Sequence, residues 1–387
     1  MLTENIKLIP FKNKINSSSI KKKLKIILNE DNEVLKSLGK NYQSSFKRSS
    51  LSKYYKFNNF RIIGMGGSSL GSQAIYDFLK SKTKKKFNFV NNLQAQNKPD
   101  KKKTFVNLII SKSGNTIETI SNANILINKK DKNIFITEKK KSNLYFLAKK
   151  LKSDIIHHNN YIGGRYSVLS EVGMVPAELM GLSSNNFRRF NSLIKNKNFI
   201  NNLISNVASL LYLSKKKKFN SIIINYDERS DSIFKWYQQL VAESLGKKKK
   251  GFLPIVSTMP KDNHSVMQLY LDGFKNNFFT FFYVNDFKSL KIKNSLILKS
   301  HKSLKNKSLS DILSAQKTAS ENIFKNKNIP FRSFEIKKRD EKTLGELFSF
   351  FILETILLGK CLDLNPYDQP AVELIKKETQ KLLIKKT

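Results

Sequence analysis

The sequence is short of cysteine, of acid, of arginine and of long apolar runs, and each shortage excludes something. A single cysteine, Cys361, leaves no partner for an intramolecular disulfide and no thiolate set for a zinc cluster. It suits a reducing compartment. The most apolar run, Leu347 to Gly359 (LFSFFILETILLG), is thirteen residues long and carries Glu354. That is too short for a bilayer and reads as a buried helix, so no membrane association is expected. The opening MLTENIKLIPFKNK has no apolar h-region, so no signal peptide is expected and the chain reads as cytoplasmic. Only 30 acidic residues face 71 basic ones, a net charge of +41, and just eight of the basic residues are Arg. Lys, Asn and Ile are spread through every part of the chain, which reads first as a bias towards A/T-rich codons.

What is present is ample material for a folded core. Of 387 residues, 40% are hydrophobic and 11% aromatic, and the 26% that are charged exclude wholesale disorder. From residue 60 onward, short apolar runs alternate with longer amphipathic stretches. Strands are expected at 60–64, 87–90, 105–110, 134–137 and 154–157, with helices between them. A second series follows, with strands at 221–226, 253–257, 278–284 and 331–336 and a long apolar helix at 344–358. Strand, turn and helix in repeated order predict βαβ units and parallel sheets, hence an α/β fold in two units. The first fifty residues read as mainly helical, and 371–384 as an amphipathic closing helix. The lysine clusters at 84–86, 101–103, 139–141, 215–218 and 247–250 fall between elements and read as solvated loops. The aromatics lie inside strands and helices rather than interleaved with the lysines, so no nucleic acid is expected as a partner. The positive field would still attract anionic substrates such as sugar phosphates.

Two loops carry the first chemistry. Gly64-Met65-Gly66-Gly67-Ser68-Ser69-Leu70-Gly71 lies between a strand and a helix. As a dinucleotide fingerprint it fails, because Ser69 stands at the third glycine and the next strand ends in Asn91-Asn92 with no acid to hold a ribose. What remains is a glycine loop whose backbone N–H groups can approach an anion. Ser111-Lys112-Ser113-Gly114-Asn115-Thr116 follows another strand and adds three hydroxyls and an ammonium. Adjacent parallel strands would bring both loops to one carboxyl edge. Either loop alone could be an ordinary Ser or Thr helix cap. Together, GGSSLG and SKSGNT resemble the phosphosugar-binding loops of the sugar isomerase (SIS) family.

Phosphosugar chemistry would need further groups. Gly163-Gly164-Arg165 places a planar, permanently charged donor where Lys is otherwise the rule; an ordinary surface loop would read the same way. Glu243 follows Ala242 on a helix with Ile233, Phe234, Leu240 and Val241, whose partly apolar walls would suit a carboxylate for proton shuttling. An exposed helical Glu is the plainer alternative. His264 precedes a helix in PKDNHS, His157 and His158 end a strand and could be structural, and His301 lies in a Lys-rich stretch. The four are too scattered to propose a metal site. Gln369 and Lys376 are seven residues apart, two helical turns, near one face of the last helix.

Taken in order, GMGGSSLG, SKSGNTIET, GGRYSVLS, WYQQLVAESLGK and NPYDQPAVELIK resemble the phosphoglucose isomerase family in a short bacterial-type form, from about residue 60 to 380. The GGR and DQ-x-x-VEL-x-K segments are the more specific ones. The resemblance implies two SIS-type three-layer αβα units with mainly parallel sheets and helical terminal segments. The expected division is 1–50, 51–180 with the phosphate loops, 181–345, and 346–387 completing the site. It implies interconversion of glucose 6-phosphate and fructose 6-phosphate through a cis-enediolate, with Glu243 moving the proton between C1 and C2 and Arg165 stabilising the intermediate. His264 and Lys376 would open the ring. Gly67, Ser68, Ser111, Lys112, Ser113 and Thr116 would hold the phosphate, while Gly164, Gln239 and Gln369 line the sugar site. The family implies a homodimer in which His264 can act in the neighbouring subunit's site, and no metal or redox cofactor. Another SIS enzyme would share the first two loops without GGRYS and DQPAVELIK. A sugar-phosphate-sensing regulator would want a helix-turn-helix segment, and the first fifty residues offer no clear one.

Overall fold

Two five-stranded sheets organise the chain in a computed structural model that describes residues 1–12, 17–96, 98–100, 102–285 and 289–384. The strands are β1 (Ile6–Ile9), β2 (Asn59–Ile63), β3 (Lys86–Val90), β4 (Val106–Ile110), β5 (Lys132–Thr137), β6 (Asp154–His157), β7 (Asn220–Asn225), β8 (Leu253–Thr258), β9 (Asn277–Val284) and β10 (Phe331–Ile336). One sheet runs β3-β2-β4-β5-β6, and all its pairings are parallel. The other runs β1-β10-β9-β7-β8 and is parallel except where β1 lies antiparallel on β10, Ile6 facing Ile336. The sequence dictates this layering. β4 (VNLII) and β9 (NFFTFFYV) are buried at every residue, the pattern of strands covered on both faces by helices.

The N-terminus departs from the helical expectation. Helices Ser18–Asn29 and Glu33–Ser37 are present, but Ile6–Ile9 is a strand that extends the second sheet. Its four residues alternate buried and exposed, a period-2 signal too short to read in the sequence.

The apolar run near the C-terminus does become a buried helix, Glu341–Cys361, with every residue from Leu347 to Gly359 buried. Its one charge is explained by its partner. Glu354 forms an ion pair with Arg332 of β10, both side chains essentially without solvent contact, and also accepts from the Asn206 amide. Breaking such a pair from one side strands a buried charge, at a cost of about 3–5 kcal/mol. Among the described residues no helix is long and apolar enough to cross a membrane.

Two placements matter for the site. β2 and β4 are neighbours, so the loops leaving their carboxyl ends emerge side by side. The helix after the first loop, Leu70–Phe78, packs on Asp231–Leu245, which follows β7 of the other sheet. The site is thereby assembled from both sheets.

Candidate active site

The two glycine- and serine-rich loops have the form of anion cradles rather than ordinary caps. Gly66 (φ +53°) and Gly114 (φ +66°) take left-handed backbone that a side chain would strain. Ser69 and Thr116 occupy the N-cap positions of Leu70–Phe78 and Ile117–Leu126, yet neither accepts a capping hydrogen bond. Thr116 instead shares its hydroxyl with Ser111 at 2.8 Å. The N-cap side chains therefore leave the first-turn N–H groups of both helices to another acceptor. Ser68 is partly exposed, Ser113 is exposed and Lys112 is half-buried. Burial pulls the Lys112 ammonium below the usual lysine value, and the carboxylate of Glu138, 3.6 Å away, opposes that pull.

The third loop touches the first. Gly67 lies so close to Gly164 that a Cβ there would sit 2.1 Å from the Gly164 carbonyl carbon and 2.6 Å from the Arg165 nitrogen. Only a bare backbone fits. From this contact the 3-10 turn Gly164–Leu169 sends Arg165 into the interior with no solvent exposure. One helix grips it: the Trp236 indole N–H donates to the Arg165 carbonyl at 3.0 Å, and Ser244 Oγ accepts from Arg165 Nε at 2.8 Å. Glu243 Oε2 lies 3.3 Å from the guanidinium. Positions 236, 243 and 244 are seven and eight apart, two turns along one face. The other guanidinium nitrogen donates to the carbonyls of Pro366 (2.6 Å) and Asp368 (3.1 Å), and Gln369 accepts from the first.

The sequence places Glu243 among apolar walls, and the structure corrects this. Ile233, Phe234, Leu240 and Val241 point into the core, while Glu243 is three-quarters buried against polar neighbours: Arg165 on one oxygen and, on the other, the Gln239 amide at 2.9 Å. Gln239 in turn sits under the first loop, where a Cβ on Gly66 would fall 2.8 Å from its Nε2. The Gly64–Gly71 loop, Gln239, Glu243, Arg165 and Gln369 thus form one connected constellation. A carboxylate beside a fixed cation can hold a proton in transit while the cation stabilises an adjacent oxyanion.

Two expected residues stand apart from it within this chain. His264 ends an exposed 3-10 turn after β8 and has no hydrogen bond or ion pair to the constellation among the described residues. Lys376 is exposed on Val372–Ile384, a helix with no buried residue, and among the described residues it pairs with its neighbour Glu373 at 2.6 Å. Lys247, read as one of a solvated cluster, is instead 13% exposed at its side chain, pairs with Asp368 at 2.5 Å, and so holds the turn that leads to that helix.

Sequence reasoning missed Glu138 and left His158 as a residue that could be structural. Glu138 follows β5, the parallel neighbour of β4, so its position at the same edge was open to inference. His158 is buried beside it, with Nδ1 2.8 Å from the Asn159 carbonyl and Nε2 without a hydrogen-bond partner among the described residues. Burial pulls its pKa down from 6.5 to about 4; the Asn159 hydrogen bond opposes this and the Lys112 charge adds to it. The unfolded chain takes up this proton near pH 6.5, the folded one only near 4. The stabilisation is therefore fully present above about pH 6.5 and is lost as the pH falls to about 4, about 3 kcal/mol in all. Melting followed across that window should show His158→Asn losing about one proton of slope relative to the wild type. Equal slopes would mean His158 is not held neutral.

Comparison with known proteins places this geometry. The fold is that of solved phosphosugar isomerases. It superposes on a glucose-6-phosphate isomerase from Chlamydia trachomatis with a TM-score of 0.71 at 18% identity, covering 91% of this chain and 78% of that one. A hypothetical protein from Thermus thermophilus superposes with a TM-score of 0.82 at 21% identity, covering 95% and 94%. Residues 27–258 match the family description "Phosphoglucose isomerase". A glucose-6-phosphate isomerase of Methanocaldococcus jannaschii is 32% identical over 361 residues, 86% of this chain and 87% of that protein. The chain belongs to the phosphoglucose isomerase family.

Proposed function

We propose that the chain interconverts glucose 6-phosphate and fructose 6-phosphate, an aldose–ketose isomerisation by proton transfer through a cis-enediolate. The observation that carries this reading is the 3.3 Å approach of Glu243 to Arg165 beside two uncapped loops at one sheet edge. The phosphate binds at Gly67, Ser68, Ser111, Lys112, Ser113 and Thr116. Gly164, Gln239 and Gln369 orient the sugar. Glu243 carries the proton between C1 and C2, and Arg165 stabilises the negative oxygen that develops on the way.

Ring opening falls to His264 and Lys376, and their exposure in the single chain fits action within a homodimer. The C-terminal helix leaves Leu374, Ile375, Leu382 and Leu383 more than half exposed, a stripe that favours coverage by a second copy. His264 then reaches the partner's site, and the C-terminal helix closes on the sugar. The units 51–180 and 181–345, with the segments 1–50 and 346–387, are the proposed domains, and the cytoplasm is the proposed location.

The test is conversion of fructose 6-phosphate to glucose 6-phosphate by the purified chain, coupled to a glucose-6-phosphate dehydrogenase without added metal. Turnover of several per second supports the reading. No turnover by a folded, dimeric protein overturns it and leaves a phosphosugar-binding protein.

A further inference from the structure

Outside the constellation, one charged group is built into the phosphate cradle without a role in the reaction. Glu138 sits where β5 ends. Its backbone N–H donates to the Lys112 carbonyl at 3.2 Å, and the Thr137 hydroxyl donates to the same carbonyl at 3.4 Å. The carboxylate is therefore carried on backbone laced to the loop it faces. Its side chain is 13% exposed, and its two oxygens are divided between Lys112 Nζ at 3.6 Å and Lys140 Nζ at 3.0 Å. Lys112 alone of the two belongs to the loop, and Lys140 is exposed.

We propose that Glu138 is the counter-ion of the phosphate cradle, holding the Lys112 ammonium in the empty site and releasing it to the incoming sugar phosphate. This rests on the assignment of the phosphate to the Ser111–Thr116 loop. The geometry gives the exchange a route. A half-buried ammonium is costly without an anion beside it, so the empty site keeps one. When the phosphate arrives, Lys140 remains on the other carboxylate oxygen, so Glu138 is not stranded when Lys112 leaves. His158, buried next to both, brings no charge of its own at neutral pH. With Nδ1–H donating to the Asn159 carbonyl, its Nε2 carries no proton and has no hydrogen-bond partner among the described residues. The carboxylate also repels the phosphate it makes room for. Glu138 is a positioning residue: it tunes how tightly the anion is held, does not touch the carbons that exchange the proton, and so sets KM rather than kcat.

The experiment compares the full-length wild type with Glu138→Gln, Glu138→Asp and Lys112→Ala. It measures kcat and KM for fructose 6-phosphate and the inhibition constant of inorganic phosphate. Removing the competing negative charge should lower both KM and the phosphate inhibition constant about three- to tenfold in Glu138→Gln, with kcat held within about twofold. Glu138→Asp, which restores the charge, should return both constants towards wild type. Lys112→Ala should raise the phosphate inhibition constant more than about tenfold. Constants that rise or stay fixed in Glu138→Gln, while Lys112→Ala still weakens phosphate, overturn the counter-ion and leave the cradle standing. An inhibition constant unmoved by Lys112→Ala puts the phosphate elsewhere and overturns both. A purely structural Glu138 would lower kcat and the melting temperature together and raise KM, which also counts against the proposal.

Discussion

Glu243→Gln is expected to lower kcat by about 10²–10⁴ while leaving the affinity for fructose 6-phosphate within about threefold of wild type. The geometry makes this a clean test. A glutamine has the shape of the glutamate, and its amide oxygen can still accept from Gln239 or from the Arg165 guanidinium, which lie 2.9 and 3.3 Å away. The shape of the site is thus preserved, and on the proposed role the loss is the ability to take a proton from carbon. Arg165 keeps neutral acceptors in Ser244, Gln369 and two backbone carbonyls, so its buried charge remains hydrogen-bonded. Two readouts check the outcome: turnover, and solvent-deuterium incorporation at C2 or C1 of the substrate, which should vanish with it. A variant that turns over at near-normal rate would remove Glu243 from the role of base.

The reason such a variant can be chosen at all lies partly in the sequence and partly beyond it. The parallel sheets were legible because β4 and β9 are mostly apolar runs bounded by turns, and because glycines and hydroxyls cluster where the helices after β2 and β4 must start. Adjacent strands then force the two loops together, which is topology and readable from order alone. The convergence of Arg165 and Glu243 was not readable. They are far apart in sequence and belong to elements following strands of different sheets, so tertiary packing brings them within 3.3 Å: Asp231–Leu245 packs on both Leu70–Phe78 and the Gly164–Leu169 turn. The walls around Glu243 were misjudged as well: the apolar residues near it in sequence lie on the core side of the helix, and its polar neighbours are Gln239, one turn back on the same helix, and Arg165, from elsewhere in the chain. Glu138 escaped notice because a lone acid at a strand end has no motif. β1 escaped because four residues hold too little periodicity. The exposed setting of His264 and Lys376 belongs to a third category. Sequence spacing says which residues share a helix face but not what covers that face, and a single chain leaves both open.

Arg165→Lys should be nearly as damaging as loss of the base, although it conserves the charge. The guanidinium acts as a planar fork with its three nitrogens directed to different partners: Ser244 on one, Glu243 and Gln369 on the second, the carbonyls of Pro366 and Asp368 on the third. A lysine ammonium is a single point with three donors, so it cannot span that set. Partners left without a donor become buried, unsatisfied acceptors, at about 1–3 kcal/mol each. Pro366 keeps the Tyr166 hydroxyl at 2.9 Å, and Lys247 still holds Asp368, so the turn at 365–369 loosens without being lost. Two measurable consequences are expected together. The oxyanion stabilisation lost with the fixed donor should lower kcat about 10²–10³-fold, with a much smaller change in KM. Hydrogen exchange through residues 365–369 should also quicken, because the chain entering the C-terminal helix has lost its inner anchor. If exchange quickens while kcat stays within about tenfold, Arg165 is a structural pin for the turn and the enediolate is stabilised by another group. If kcat falls as stated and exchange is unchanged, the guanidinium acts on the substrate alone, and the placing of the C-terminal helix rests on Lys247.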